Sequence, residues 1–326
     1  PLGKDYVSLH QGSSCYLYTV TDSLLVTPSA CTAIDHFSIA GLEFICVEQN
    51  GTERIFNQTL HCWILPDTER LDGIVPVLGT DGDLTDLAAV MKKGSKGALY
   101  SIRSGERLTD YLFEDVDQEL FAGKYYMVTA GGKKGLYDLA AKKFVLSCDY
   151  NDISGYCVFD GDEYVVVTKA GKNGVYDLTD KKLVVAIQND GIDMRDGYVR
   201  IRRGEKYAVF SLRYNKMVFD SPVDKVELMN DGYAILKVAG AEMTGVYDLN
   251  RNEWHIDPED SYYSWYWRGD YMHWQYDKII NYKTKTIVFL PNTAETVHYF
   301  DGDYVLSTGD YCDSPTFLYK FVGSML

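Results

Sequence analysis

The chain has 326 residues, of which 46% are hydrophobic and 14% aromatic, so it contains enough apolar material for a large core and is not a disordered chain. Its formal net charge of −15 argues against a general affinity for nucleic acid. No apolar run approaches the roughly 18 residues of a transmembrane helix, so membrane insertion is not predicted.

Along the chain, runs of alternating apolar and polar residues recur, and each is opened by a glycine. A period of two residues predicts β-strands. The spacing of the glycines, 33 to 41 residues, predicts an internal repeat. The opening glycines are Gly3, Gly41, Gly82, Gly123, Gly161, Gly197, Gly232, Gly269 and Gly302.

Each repeat unit is predicted to hold four short strands. In the unit 197–231 these are GYVRIRR, YAVFSL, KMVFD and VDKVELM, separated by polar turns. The helix-like run DLTDLAAVMKKG, near Asp83, is interpreted as a divergent first strand. A glycine or Asp-Gly at the start of a unit supplies the positive φ expected where one unit hands over to the next.

A second phrase keeps the same spacing, as in GLYDLAAKKFVL (135–146) and GVYDLTDKKLVV (174–185). It is similar to the WG-repeat family, whose units carry a Trp-Gly or Tyr-Gly pair followed by an apolar-aromatic-Asn/Asp strand. The resemblance covers residues 96–289; the residue before the glycine is Lys, Asn or Thr rather than Trp, and Ala208 replaces one glycine. The resemblance implies a β-propeller and a binding or scaffold role without an enzymatic activity.

Packing considerations predict the same architecture. Four thin strands cannot bury both faces alone, so successive units must pack face to face. We therefore predict an all-β, antiparallel β-propeller of about eight four-stranded blades, forming a single repeat domain over residues 1–326. A two-strand terminal unit from Gly302 is either a partial ninth blade or a tail packed outside the ring.

The segment DSYYSWYWRGDYMHWQY (260–276) concentrates aromatic side chains far above the chain average. Such a density of aromatic side chains is typical of a recognition surface for a glycan, a peptide or an aromatic ligand. The alternative interpretation is that these side chains pack in the core and between blades. The candidate binding residues of this aromatic segment are Tyr262, Tyr263, Trp265, Tyr266, Trp267, Arg268, Tyr271, His273 and Trp274.

Hairpin turns in four successive units are basic and predict a local positive arc on an acidic protein. An anionic partner is one interpretation, and ordinary solvated turns are the other. The residues of this basic arc are Lys93, Lys96, Lys133, Lys134, Lys172, Arg202 and Arg203.

Catalytic motifs are absent from the sequence. Asp138, Asp177 and Asp248 recur in the second phrase and are expected to cap turns rather than to form a ring of carboxylates. The six His are scattered, without H-E-x-x-H or G-x-S-x-G. No catalytic residue, metal site or cofactor is therefore predicted, and the protein is not expected to be an enzyme.

Seven cysteines without a C-x-x-C motif favour free thiols and a cytoplasmic location. The chain begins at Pro1 rather than at a methionine, so removal of a leader is compatible with the sequence.

The leading functional hypothesis is a non-catalytic β-propeller that acts as a protein-interaction or ligand-recognition module. Its partner is expected to be another protein, or a glycan or peptide bound at the aromatic segment. One alternative is a carbohydrate-active or other hydrolase that uses carboxylates in a central channel. The other is an acidic inhibitor or immunity-type protein that binds a basic partner.

Overall fold

The fold is all-β, as predicted, and neighbouring strands pair antiparallel. Within the described part of the chain the only helical segment is a 3-10 turn at Asn230–Gly232. The computed structural model describes residues 2, 5–27, 29–39, 42–64, 69–79, 82–238, 240, 243–260, 267–268, 270–274, 278–289, 295–301, 304–309 and 316–320. No helix in these ranges is long and apolar enough to cross a membrane.

The chain divides into two compact units. The first consists of Pro1–Tyr156, Val165–Gly171 and Tyr176–Leu183, and the second of Cys157–Tyr164, Lys172–Val175 and Val184–Leu326. The single repeat domain over residues 1–326 stays a prediction, as do the closure of a ring and the number of blades.

Up to Tyr150, which lies in the first unit, the described residues form four sheets whose strands follow chain order. They are β1 (Tyr6–Gln11), β2 (Ser14–Thr19) and β3 (Leu24–Leu25); β4 (Ala33–Ile39), β5 (Leu42–Gln49), β6 (Thr52–Asn57) and β7 (Cys62–Trp63); β8 (Arg70–Leu78), β9 (Leu84–Lys93) and β10 (Lys96–Ser101); and β11 (Asp115–Phe121), β12 (Tyr125–Ala130), β13 (Lys133–Asp138) and β14 (Lys143–Tyr150). Strand β9 confirms the interpretation of the helix-like run as a strand.

The next sheet, whose residues are divided between the two units, contains β15 (Asp152–Phe159), β16 (Asp162–Lys169), β17 (Lys172–Asp177) and β18 (Lys182–Asn189). The remaining sheets belong to the second unit. They are β19 (Gly191–Arg195), β20 (Tyr198–Arg203), β21 (Lys206–Ser211), β22 (Lys216–Leu228), β23 (Tyr233–Val238), β24 (Met243–Asp248) and β25 (Glu253–Asp260); β26 (Trp267–Arg268), β27 (Tyr271–Trp274), β28 (Lys278–Asn281) and β29 (Thr286–Phe289); and β30 (Glu295–Asp301), β31 (Tyr304–Gly309) and β32 (Thr316–Lys320).

The described strands form sheets of three, four or seven strands, so the prediction of four per unit holds only in part. In the unit 197–231, KMVFD and VDKVELM lie in the single strand β22 instead of in two strands.

The hydrogen-bonded sheets also begin one strand earlier than the units read from the sequence. The strand placed last in a sequence unit pairs with the glycine-opened strand that follows it, as β19 pairs with β20. The reason is the turn: Asp196 and Gly197 have φ of 48° and 79°, and Asp160 and Gly161 have φ of 52° and 91°. Two consecutive positive φ values make a two-residue type I′ hairpin. The predicted positive φ is therefore present, but it closes a hairpin inside a sheet instead of linking two units.

In the first unit the core lies between successive sheets, because both faces of each inner sheet are buried. On β9 and β10, Val90 and Leu99 pack in one cluster with Val128 of the following sheet. Met91 and Ala98, the adjacent residues of the same strands, pack in another cluster with Ile55 of the preceding sheet. Strand alternation thus sends neighbouring side chains to opposite clusters.

In the second unit, the two faces of β21 pack differently. Phe210 packs in a cluster with Val175 and Val185 of the preceding sheet. Its neighbour Val209 packs in another cluster with Val223 and Leu236, which belong to the same seven-stranded sheet as Val209. The predicted face-to-face packing of successive sheets is therefore observed between sheets of the first unit and on one face of β21 in the second.

The glycine of the second phrase lies where two strands approach closely. A Cβ at Gly135 would lie 2.7 Å from the Leu146 carbonyl oxygen, and a Cβ at Gly174 would lie 2.7 Å from the Val185 carbonyl oxygen. The register of β13 against β14 shifts on both sides of Leu136, which brings the backbone of β14 over the glycine. At Gly135 and Gly174 the glycine is therefore required by packing.

Candidate functional site

The aromatic segment lies largely outside the described residues, which exclude Tyr262, Tyr263, Trp265 and Tyr266. Of its other members, Trp267 and Arg268 form β26, and Tyr271, His273 and Trp274 lie in β27. The two strands pair through Trp267↔Met272 and Arg268↔Tyr271, so they are neighbours in one sheet. Tyr271 is half-buried. The recognition role of this segment stays a prediction.

The recurrent aspartates of the second phrase cap turns, as expected. Asp177 Oδ1 accepts hydrogen bonds from the backbone N–H groups of Thr179 and Asp180, both at 2.9 Å. Asp248 Oδ1 does the same for Asn250 and Arg251, at 2.9 and 3.0 Å. Asp177 and Asp248 are buried, with 2% and 4% of their surfaces exposed. These carboxylates are therefore used to hold the turns together.

Asp138 and the corresponding residues of other repeats have the same role. Asp138 Oδ1 accepts from the Ala141 N–H at 2.9 Å. Asn57 Oδ1 accepts from Thr59 and Leu60 at 2.9 and 3.0 Å, and Asn281 Oδ1 accepts from two backbone N–H groups at 3.1 Å. The polar residue at this position of the second phrase, which follows an aromatic residue or Ile280, is thus a structural turn cap in both units.

Lysines of the basic arc are paired with carboxylates at a fixed distance along the sequence. Lys134 Nζ lies 2.8 Å from Asp152 Oδ1, and Lys172 Nζ lies 2.5 Å from Asp190 Oδ1; in each pair the residues are 18 positions apart. The same spacing separates Lys96 from Glu114, whose closest side-chain atoms are 3.5 Å apart. Outside the arc, Lys206 and Asp224 repeat the arrangement at 2.5 Å. These exposed pairs contribute little stability individually, but they offset the charge of the turn lysines.

The same carboxylates also accept hydrogen bonds from turn amides. Glu114 accepts from the Gly132 N–H at 3.1 Å, and Asp190 accepts from the Gly204 N–H at 2.5 Å. The amides of Gly132 and Gly131 lower the pKa of Glu114, and the Lys172 ammonium together with the Gly204 amide lowers the pKa of Asp190. Because these folded-state pKa values lie below the ordinary ones, the contacts stabilise the fold at neutral pH and their contribution is lost as the pH falls through the acidic range.

The other members of the basic arc have varied environments. Arg203 Nε donates to Asn189 Oδ1 at 2.7 Å, and an Arg202 guanidinium N–H donates to the Asp190 carbonyl at 3.5 Å. The Lys93 ammonium is exposed, 6.0 Å from the centroid of the Tyr111 ring, and Lys133 is half-buried at the start of β13. Binding of an anionic partner by the arc stays a prediction.

A cavity of about 650 Å³ lies in the first unit, where hairpin ends of its third and fourth sheets meet. We call it the hairpin cavity. Five aliphatic side chains line it, and all five are half-buried: Val77, Leu78, Leu108, Leu120 and Leu139. Its other lining residues are Gly79, Gly82, Gly123, Lys124, Tyr126, Asp138, Ala140 and Lys142. Its volume falls within the range of about 300–1,000 Å³ that is typical of small-molecule sites.

The polar groups of the hairpin cavity are few. The Tyr126 hydroxyl donates to the Pro76 carbonyl oxygen, and burial together with the Asp86 charge raises the pKa of Tyr126. Lys124 and Lys142 are exposed at the mouth. The cavity therefore has an apolar interior and a charged mouth.

A smaller cavity of about 250 Å³ lies between β8 and β11 and is lined by Asp72, Asp115 and Asp117, among others. Asp72 is ion-paired with the Lys92 ammonium at 2.5 Å and with the Arg70 guanidinium at 2.8 Å. Burial raises the pKa of Asp117, and the nearby Lys134 charge opposes this effect. In the ranges that the structure describes, no three His, Cys, Asp or Glu side chains are grouped as metal ligands.

No protein-family model matches the chain, and no curated protein is significantly similar to it in sequence. Membership of the WG-repeat family therefore stays a prediction.

Among solved structures, the chain is similar to dihydro-heme d1 dehydrogenase NirN at 14% identity and a TM-score of 0.29, over 78% of this chain and 64% of that one. It is similar to a eukaryotic initiation factor at 13% identity and a TM-score of 0.33, over 78% and 84% of the two chains. An uncharacterized protein from Listeria monocytogenes EGD-e aligns over 90% and 96%, at 13% identity and a TM-score of 0.28. These likenesses are too low to assign a function.

Proposed function

We propose that the chain is a non-catalytic β-propeller that serves as a recognition module. The hairpin cavity is the observation that supports this proposal: it is concave, lined by aliphatic side chains, and large enough for a small ligand or an apolar side chain of a partner. The repeated sheets supply a rigid frame, because each inner sheet is packed on both faces.

The hydrolase alternative has less support. The recurrent Asp177 and Asp248 are occupied as turn caps, and Asp72, which faces the smaller cavity, is already paired with two cations. The acidic-inhibitor alternative draws on the net charge of −15. Recognition of another protein, or of a glycan or peptide at the aromatic segment, remains part of the proposal, as do the cytoplasmic location and the exclusion of nucleic acid.

The hairpin cavity should take up a neutral apolar probe from solution. We expect N-phenyl-1-naphthylamine to bind saturably and to gain fluorescence, because the aliphatic lining shields it from water. In the variant Ala140→Trp the indole should occupy the space at the exposed Ala140 position and abolish this gain. Fluorescence titration measures the effect.

Ala141→Trp is the matched control, since Ala141 is equally exposed and does not line the cavity. It should bind the probe like the unmodified protein. Leu78→Trp is a second variant designed to fill the cavity. It tests the same prediction in case the indole of Ala140→Trp points away from the cavity. Equal fluorescence gains in all four proteins would contradict the proposal.

A further inference from the structure

We propose that the hairpin cavity binds a small aliphatic carboxylate, with the hydrocarbon chain inside and the carboxylate at the mouth. This inference rests on the proposed function, because it names the class of ligand for the same site. Three features of the cavity support it: the lining, the charges at the mouth and the open space at two glycines.

The apolar lining of the cavity favours a ligand with a hydrocarbon chain. Val77, Leu108, Leu120 and Leu139 pack against the core cluster of the third and fourth sheets, yet each remains half-buried on the cavity side. The one hydroxyl in the lining, on Tyr126, already donates to the Pro76 carbonyl. A ligand in the interior therefore meets apolar surface and gains from burying its own.

The charges at the mouth select an anionic head group. Lys124 and Lys142 contribute two ammonium groups, and Asp138 contributes one carboxylate, whose Oδ1 accepts from the Ala141 N–H. Among the described lining residues there are thus two ammonium groups and one carboxylate. No carboxylate among the described residues forms an ion pair with Lys142, so its ammonium group can donate to a ligand carboxylate.

Glycines at the hairpin ends keep this space open. A Cβ built at Gly82 or at Gly123 would meet no atom within 4 Å. At the corresponding turn of the second unit, a Cβ at Gly197 would lie 2.3 Å from the Phe159 ring, and the cavity that these two residues line is smaller, at about 260 Å³. The residues at the end of β8 that face the hairpin cavity are Val77 and Leu78, so no aromatic ring occupies it from that strand.

Decanoate is the probe that tests this inference, and displacement of N-phenyl-1-naphthylamine is the readout. We expect decanoate to displace the neutral dye at lower concentration than decanol does, because only decanoate can pair with the lysines. The double variant Lys124→Gln/Lys142→Gln should lower the affinity for decanoate about fivefold, as expected for partly exposed charge pairs. It should leave the affinities for decanol and for the dye unchanged. Lys143→Gln, an exposed neighbour outside the cavity, is the control.

The outcomes separate the two proposals. The ligand class is wrong, and the recognition site stands, if the dye binds but decanoate displaces it no more effectively than decanol does. The same conclusion follows if the lysine variant has an unchanged affinity for decanoate. If the dye fails to bind and neither amphiphile binds in a direct calorimetric titration, both proposals fail. Decanoate binding that survives Ala140→Trp and Leu78→Trp would place the anion elsewhere and overturn the inference.

Discussion

Replacing Gly135 with alanine is expected to lower the free energy of unfolding by about 3 kcal/mol, the cost typical of forcing an extra group into a closely packed site. The new Cβ would lie 2.7 Å from the Leu146 carbonyl oxygen and 2.9 Å from the Cys148 amide nitrogen. Both contacts are with backbone of the adjacent strand β14, so no side-chain rotation relieves them. The strands must separate, and the register shift around Leu136 must change.

Urea unfolding followed by circular dichroism measures this loss. Gly97→Ala is the matched control, because Gly97 occupies the same position of its repeat and its Cβ would have only ordinary contacts, the nearest at 3.5 Å from Val90 Cγ1. We expect the control to lose less than about 1 kcal/mol. Equal losses in the two variants would contradict the role assigned to the close approach at Gly135.

Replacing Asp177 with alanine is expected to lower the free energy of unfolding by about 2–3 kcal/mol, because two turn amides lose their shared acceptor at a buried position. Asp177 is 2% exposed, and its Oδ1 accepts from the N–H groups of Thr179 and Asp180. Water reaches such a site poorly, so the lost hydrogen bonds are not fully replaced.

Two further variants identify the cause. Asp177→Asn keeps an acceptor oxygen and should lose about 1 kcal/mol or less. Asp180→Ala removes only an exposed ion pair with Lys182 and should lose at most about 0.5 kcal/mol. If Asp177→Asn were as unstable as Asp177→Ala, the carboxylate charge, rather than turn capping, would be responsible.

The all-β, antiparallel character of the fold was predictable from the sequence because its signals are local. Strand alternation and the Asp at the turn each lie within one repeat, and the regular glycine interval shows that the repeat recurs. The grouping of strands into sheets was misread by one strand, since a positive φ at Asp196-Gly197 suits a hairpin as well as a junction between units.

The surroundings of the basic arc were predictable in part. Lys134 and Lys172 each have a carboxylate 18 positions later, and this regular spacing is visible in the sequence once the hairpins are placed. It was missed because basic residues were considered without their acidic partners 18 positions later in the sequence.

The hairpin cavity had no sequence signal. Val77, Leu108, Leu120 and Leu139 come from four separate places in the chain and look like ordinary strand residues. Their arrangement depends on the gap between two sheets, which is a property of packing and not of any single repeat. The aromatic segment, by contrast, attracts attention by composition alone.

The central claim is that recognition occurs at the hairpin cavity, and hydrogen–deuterium exchange with and without N-phenyl-1-naphthylamine tests it most directly. The turn amides of Gly123 and Lys142 donate to the carbonyls of Leu120 and Leu139, at 3.2 Å in both cases, so a ligand that steadies these turns should slow their exchange. We predict added protection in residues 120–126 and 138–142, and none in residues 260–276. Unchanged exchange in the two turns, or protection confined to the aromatic segment, would contradict the claim.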